Sequence, residues 1–149
     1  MKIVLYQPQI PQNTGNIART CAATATSLVL IKPLGFSTND RHLKRAGLDY
    51  WDGVNIEEMD EITPLLQTEA PFFFFSSKAS NYYTDTTYPA NAILIFGSET
   101  SGLPSLFHEK WPNQFFTIPM VKGHRSLNLA SSVAIVLYEA LRHSNFSNI

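Results

Sequence analysis

Three polar segments carry the side chains of this sequence that could perform chemistry. The first, residues 8–19, reads Pro-Gln-Ile-Pro-Gln-Asn-Thr-Gly-Asn-Ile-Ala-Arg and leads from a short apolar run into an Ala-rich helix. Turn formation and helix capping account for its amides, including Asn13. They do not account for Arg19, because a cation on the first turn of a helix opposes the helix dipole. Arg19 is therefore either a functional residue or an incidental surface charge.

The second segment, residues 96–104, reads Phe-Gly-Ser-Glu-Thr-Ser-Gly-Leu-Pro and directly follows an apolar run typical of a buried strand. Its two glycines, Gly97 and Gly102, allow backbone N–H groups to approach a ligand. Loops at the carboxyl ends of strands are where α/β sheets bind ligands. The pattern therefore indicates a binding loop.

The third segment, residues 118–130, reads Ile-Pro-Met-Val-Lys-Gly-His-Arg-Ser-Leu-Asn-Leu-Ala. Ser126 is explained if it is the N-cap of the helix that follows. Asn128 is not explained in this way, because an amide on the first turn of so apolar a helix needs a hydrogen-bond partner.

Other motifs that carry chemistry are absent from the sequence. It has no phosphate-binding Gly-x-x-x-x-Gly-Lys-Ser/Thr loop, no Gly-x-Gly-x-x-Gly turn, no Gly-x-Ser-x-Gly elbow and no His-Glu-x-x-His pair. Kinases, simple dehydrogenases, serine hydrolases and zincins are thereby excluded. Cys21 lies on an apolar helical face, which favours a core position over a nucleophile. No metal site is expected, because four scattered histidines lack ligand partners at suitable spacing: His42, His108, His124 and His143.

Length and composition point to one domain spanning residues 1–149. Eleven Lys and Arg residues nearly balance twelve Asp and Glu, and 44% hydrophobic against 15% charged residues excludes disorder. No apolar run approaches the length of a membrane span, and the N-terminal run is too short for a signal peptide. We therefore expect a soluble, cytoplasmic protein. With a net charge of −1, a nucleic-acid partner would have to be held by local clusters of cations.

The short apolar runs predict a mainly parallel sheet flanked by helices, because several are continuously apolar, as in strands buried on both faces. The predicted class is α/β. Six strands are expected, at residues 3–6, 28–31, 54–56, 72–75, 92–96 and 115–118.

Helices are expected at residues 16–26, 40–46, 60–68 with Asp60 as cap, and 127–143. The stretch 76–89 reads as a surface loop, and the acidic residues 57–61 as a solvated face. The last helix is apolar almost all round, so it is expected to be buried in the domain or against a second subunit.

Taken in this order and at this spacing, the three segments resemble the motifs of the SPOUT class of RNA methyltransferases. The resemblance covers the whole chain and is greatest to the minimal YibK type, the tRNA (cytidine(34)-2'-O)-methyltransferases. Residues 13–19, 96–104 and 118–138 match the first, second and third motifs. One departure is Ser98, where relatives usually have proline; it is expected to loosen the loop without removing a chemical group.

The resemblance implies a deep C-terminal trefoil knot and S-adenosylmethionine as methyl donor, without a metal. The residues implied in cofactor binding are Phe75, Ser76, Gly97, Ile118, Met120 and Ser126. Arg19 corresponds to the family's essential arginine, and we expect it to orient the attacking ribose 2'-hydroxyl and stabilise its developing charge, since a guanidinium is a poor base. The other residues implied in the catalytic site are Asn13, Glu99, Ser126 and Asn128.

The implied substrate is the wobble nucleotide, position 34, in a tRNA anticodon loop, with leucine tRNAs as the family expectation. The implied assembly is a homodimer in which one subunit's first motif completes the other's site. Candidates for RNA contact, as phosphate-binding cations or a stacking aromatic, are Arg41, Lys44, Arg45, Lys122, His124, Arg125 and Tyr138. Two alternatives stay open: a 2'-O-methyltransferase acting on ribosomal RNA or another tRNA position, and a non-catalytic α/β nucleotide-binding domain.

Overall fold

A computed structural model describes residues 1–38, 53–147 and 149 of the chain. Within these residues seven strands form one sheet in which every strand pairing is parallel. The strands are β1 (Lys2–Tyr6), β2 (Ser27–Ile31), β3 (Ile56–Met59), β4 (Phe72–Phe75), β5 (Asn81–Tyr82), β6 (Ile93–Phe96) and β7 (Phe115–Thr117). Their order across the sheet is β3-β2-β1-β6-β4-β7-β5. The predicted α/β class is confirmed, and the knot stays a prediction of the resemblance.

Helices cover the sheet between these strands. They are α1 (Pro11–Ala23), α2 (Thr63–Leu66), α3 (Ser105–Lys110) with a 3-10 turn after it (Pro112–Gln114), and α4 (Leu129–His143). Helices α1 and α4 pack against each other. In the part of the chain that the structure describes, no helix is long and apolar enough to cross a membrane.

The core lies on both faces of the sheet, as the continuously apolar strands predict. In β1, Ile3 and Leu5 face the layer of α1 and α4, while Val4 between them belongs to the opposite layer. Burial on two faces requires apolar side chains at consecutive positions, which is the pattern of β1, β2, β4 and β6. Cys21 is fully buried in the first layer. Burial raises the pKa of its thiol to about 12, as suits a core residue rather than a nucleophile.

The register brings the carboxyl ends of four strands to one edge. Leu5 of β1 lies beside Phe96 of β6, which lies beside Phe75 of β4, and Phe75 pairs with Phe116 of β7. The loops that follow these strands therefore leave the sheet side by side. They contain the three segments that the sequence singled out, together with the start of the loop after β4.

Two predictions for the strands were wrong. The stretch 76–89 contains the seventh strand, β5, whose two residues pair only with Phe116 and Thr117 at the edge of the sheet. Strand β3 lies at Ile56–Met59 rather than 54–56 and includes two glutamates of the acidic cluster. An edge strand tolerates charges because one side of it faces water. The acidic side chains are exposed, as expected of a solvated face.

The predicted helix boundaries also need correction. Helix α1 begins at Pro11 rather than residue 16, so Arg19 lies on its third turn and the argument from an opposing dipole on the first turn does not apply. Helix α2 is shorter than 60–68, and Asp60 does not cap it but forms an ion pair with Lys32 at 2.8 Å. The helix expected at 40–46, with Arg41, Lys44 and Arg45, lies outside the described residues.

We predict that Leu137→Ala lowers the free energy of unfolding by about 2–5 kcal/mol, because it deletes a fully buried side chain of α4 and leaves a cavity. Leu106→Ala is the matched control, since Leu106 on α3 is 62% exposed; we expect a change within about 0.5 kcal/mol. Urea unfolding at one protein concentration measures both. Equal losses in the two variants would contradict the assignment of α4 to the core.

Candidate functional site

A cleft of about 450 Å³ opens at the edge where β1, β4, β6 and β7 end. Its walls come from the loops that follow these four strands and from residues of α1, α3 and the first turn of α4. The volume lies in the range of small-molecule sites. All six residues predicted to bind cofactor line it: Phe75, Ser76, Gly97, Ile118, Met120 and Ser126.

The loop after β6 is closed on itself by an antiparallel bridge between Ser98 and Gly102. A Cβ added to Gly97 would lie 2.5 Å from the amide nitrogen of Leu103, so Gly97 is required for closure of the loop itself. Gly102 has φ +68°, and a Cβ built on it would meet no atom within 4 Å. The open approach for a ligand expected at both glycines is therefore found at Gly102, whereas Gly97 serves the loop.

Ser98 does not loosen this loop, contrary to our expectation. Its hydroxyl is buried and accepts a hydrogen bond from the Ser101 N–H at 3.1 Å, while the two serine hydroxyls lie 2.7 Å apart. A side-chain oxygen that accepts a backbone N–H a few residues on stabilises a turn. The serine thus restrains the loop by hydrogen bonding.

Glu99 joins this loop to the start of α1. One carboxylate oxygen accepts the Gln9 N–H at 2.8 Å, and the other accepts the Ile10 N–H at 3.2 Å and the Asn13 side-chain amide at 3.0 Å. Ile10 is the N-cap residue of α1, and no side-chain hydrogen bond from it caps the helix. Glu99 therefore supplies from another loop an acceptor that helix N-termini usually find locally.

Asn128, rather than Ser126, is the N-cap of α4. Its Oδ1 accepts the Ala130 N–H at 2.8 Å, and its Nδ2 donates to Asn13 Oδ1 at 2.8 Å. The side chain of Asn128 therefore has two partners. Its Oδ1 caps α4, and its Nδ2 binds Asn13 of the first segment. Through Asn13, the three segments form one hydrogen-bonded network at the rim of the cleft, with Glu99 at its other end.

The predicted catalytic residues separate into two groups. Asn13, Glu99, Ser126 and Asn128 line the cleft. Arg19 does not: it is exposed on α1 and is absent from the walls of its own chain's cleft. The RNA-contact candidates of the loop after β7 and of α4 are likewise exposed and outside these walls, namely Lys122, His124, Arg125 and Tyr138.

Two ionisable residues of the cleft were not predicted from the sequence to lie at the site. Lys78 follows β4, and His108 lies on α3 with its ring stacked on Phe115 at a centroid distance of 3.7 Å. Burial, followed by the charge of Lys78, lowers the pKa of His108, so its imidazole is neutral at pH 7. The position of Lys78 just past a strand end was the available signal for it. Across residues 1–38, 53–147 and 149, no group of three or more His, Cys, Asp or Glu side chains could hold a metal ion.

Comparison with known proteins gives one consistent family. The SpoU rRNA Methylase family matches residues 1–138. The tRNA (cytidine(34)-2'-O)-methyltransferase of Photorhabdus asymbiotica is 42% identical, covering 99% of this chain and 96% of that protein. The protein of the same name from Methylovorus glucosotrophus is 43% identical, covering 97% and 96%.

Solved structures agree in fold. A structure described as giving insights into the 2-OH methylation of C/U34 on tRNA superposes with a TM-score of 0.90 at 41% identity, covering 97% of this chain and 95% of the other. The SpoU methyltransferase AviRb of Streptomyces viridochromogenes, in complex with AdoMet, shares the fold at 19% identity and a TM-score of 0.85, covering 100% and 59%. The match over residues 1–138 and these full-length relatives establish that the chain belongs to the SpoU methylase family.

Proposed function

We propose that this protein transfers the methyl group of S-adenosylmethionine to the ribose 2'-hydroxyl of nucleotide 34 in tRNA. The observation that carries the proposal is the network Glu99–Asn13–Asn128, which assembles the three segments around one cleft in a member of a methylase family. The relatives named for this reaction match nearly the whole chain. Residues 1–149 would act as one domain, and a tRNA substrate fits a cytoplasmic protein.

The residues of the cleft fit the cofactor. The open face at Gly102 and the strand ends at Phe75 and Ile118 offer backbone groups and apolar surface to a nucleoside. When bound, S-adenosylmethionine supplies an electrophilic methyl group on a sulfonium. The protein must then position the ribose hydroxyl in line and stabilise negative charge as its proton leaves.

Arg19 would supply that stabilisation from a second copy of the chain. It does not line the cleft of its own chain, yet it lies on α1, which packs beside α4. Helix α4 keeps two large apolar side chains exposed, Ile135 at 37% and Tyr138 at 47%. Apolar side chains exposed on a core helix suit a subunit interface. We therefore propose a homodimer in which Arg19 reaches the cleft of the other subunit.

The RNA would approach across the exposed loop after β7. Lys122, His124 and Arg125 are all exposed there, next to Ser126 at the cleft rim. Such cations can bind phosphates.

The substrate is tested by mass spectrometry of tRNA nucleosides and fragments from cells with and without the gene. We expect loss of 2'-O-methylation at nucleotide 34, restored by the wild-type gene. Loss of a methyl group at another tRNA position or in ribosomal RNA would contradict the proposed position while retaining the chemistry. Unchanged RNA methylation, with S-adenosylmethionine still bound by the protein, would favour a non-catalytic binding domain.

Arg19→Ala should leave the affinity for S-adenosylmethionine nearly unchanged and lower single-turnover methyl transfer by about 100-fold or more, because its interaction is realised mainly in the transition state. Gly97→Ala should have its main effect on cofactor affinity, because the added Cβ collides with the backbone of the loop and distorts it. Calorimetry and single-turnover assays measure the two effects. Lys110→Ala, an exposed cation on α3, is the control. Near-normal turnover of Arg19→Ala would remove the assigned role.

The proposed dimer predicts complementation. A mixed dimer of one Arg19→Ala and one Gly97→Ala subunit has one site with an intact loop and an intact arginine. Mixing the two inactive variants after partial unfolding and refolding should therefore restore part of the activity, whereas each refolded alone should stay inactive. Sedimentation should show twice 16.7 kDa for the wild type. A fully active monomer, or no recovery on mixing two variants that do form dimers, would contradict the shared site.

A further inference from the structure

We propose that His143, at the C-terminal end of α4, is a positioning residue for cofactor binding: it accepts a hydrogen bond from Tyr88 and so holds the loop that forms one wall of the cleft. This inference rests on the proposed function, because it takes S-adenosylmethionine as the molecule that the cleft binds. It concerns a part of α4 far along the helix from Asn128.

The loop after β4 begins in the cleft and ends at Tyr88. Its first residues, 76–78, line the cleft wall. Tyr88 is 2% exposed, and its ring contacts those of Phe73 and Phe75, at centroid distances of 4.9 and 6.4 Å. Its hydroxyl donates to the carbonyl of Tyr83, whose own N–H donates to the Thr117 carbonyl at 2.9 Å. Thr117 also lines the cleft, so Tyr88 connects to the wall at both ends of the loop.

The hydrogen bond to His143 fixes the tautomer of its ring. The Tyr88 N–H donates to His143 Nδ1 at 3.1 Å, so Nδ1 carries no proton and the imidazole hydrogen lies on Nε2. Nε2 then donates to Glu139 Oε1, 3.3 Å away. Because Nε2 is a donor, its 3.2 Å approach to an Arg142 nitrogen is a contact between donors and not a hydrogen bond.

Hydrogen bonds from Arg142 fix the position of Glu139, the acceptor for His143 Nε2. Arg142 donates two hydrogen bonds to its carboxylate, at 2.9 and 2.8 Å. These bonds lower the pKa of Glu139, so the carboxylate is charged and acts only as an acceptor. The imidazole of His143 also lies nearly parallel to the Tyr88 ring, at 19° and a centroid distance of 5.6 Å. Orientation of the histidine is thus determined from both sides.

Helix α4 consequently contacts both walls of the cleft. Asn128 at its N-terminal end holds the first segment through Asn13, and His143 at its other end holds the loop after β4. Without an acceptor at position 143, the N–H of the buried Tyr88 would lose its partner, and the loop would have to shift to find another. The wall formed by residues 76–78 would then no longer be preorganised for the cofactor.

Two substitutions separate the hydrogen bond from the shape of the ring. His143→Phe keeps a ring against Tyr88 but has no acceptor, whereas His143→Gln offers an acceptor oxygen and a donor nitrogen. By calorimetry without RNA, we expect His143→Phe to bind S-adenosylmethionine about fivefold to tenfold more weakly, the range of one lost buried hydrogen bond. His143→Gln should stay within about twofold of wild type, since its amide can accept and donate as the imidazole does. At saturating cofactor, kcat should be unchanged in both.

A second route guards against misfolding of His143→Phe. His143→Leu also removes the acceptor but carries no ring, so it should likewise weaken cofactor binding. The proposal is overturned if His143→Phe, or failing that His143→Leu, binds S-adenosylmethionine as the wild type does and differs only in melting temperature. A wild-type protein that binds the cofactor without methylating nucleotide 34 would refute the proposed function alone. Absence of cofactor binding by the wild type would overturn both.

Discussion

The architecture of the cleft depends on the carboxylate of Glu99. An ionised carboxylate can only accept hydrogen bonds, and both of its oxygens here receive N–H donors from the segment around the start of α1. The N–H of an N-cap residue is among those that a helix leaves without an internal partner, and Ile10 offers no side-chain cap in exchange. Glu99, in the loop after β6, therefore supplies hydrogen-bond acceptors to backbone N–H groups at the start of α1. Charge-assisted hydrogen bonds of this kind are stronger than neutral ones.

The same carboxylate orients the amide of Asn13. With its Nδ2 donating to Glu99, Asn13 presents Oδ1 toward Asn128, whose own Oδ1 is occupied by the first backbone N–H groups of α4. Every amide group in this sequence of bonds has a partner, and each bond fixes the orientation of the next side chain. Polar networks that are fully satisfied specify a single arrangement of their elements. The hydrogen bonds of this network thus fix the loops of the cleft relative to one another.

The sequence was sufficient to predict the elements whose structure is determined by neighbouring residues in the chain. Continuous apolar runs such as 72–75 predicted strands buried on both faces, because that burial leaves no position for a polar side chain. It was insufficient for β5, whose Asn81 and Tyr82 become a strand only by pairing with β7. The start of α1 was misplaced because its acceptor, Glu99, lies 90 residues from Gln9. The need of Asn128 for a partner was visible, but its identity, 115 residues earlier, was not.

The strand order has a consequence for how the chain reaches this structure. Strand β1 can pair with β6 only after some ninety further residues have been synthesised. The hydrogen bond between Asn13 and Asn128 joins residues 115 positions apart. Contacts so distant along the chain are formed late and slow the folding reaction, since the entropy of closing the intervening loops must be lost before they contribute. During synthesis on the ribosome, the N-terminal half therefore carries an incomplete sheet with an unpaired strand edge. The cleft is assembled last, because its network needs Asn128 at the start of α4. A chain truncated before α4 would lack this site and would expose the apolar side chains that α4 covers on one face of the sheet.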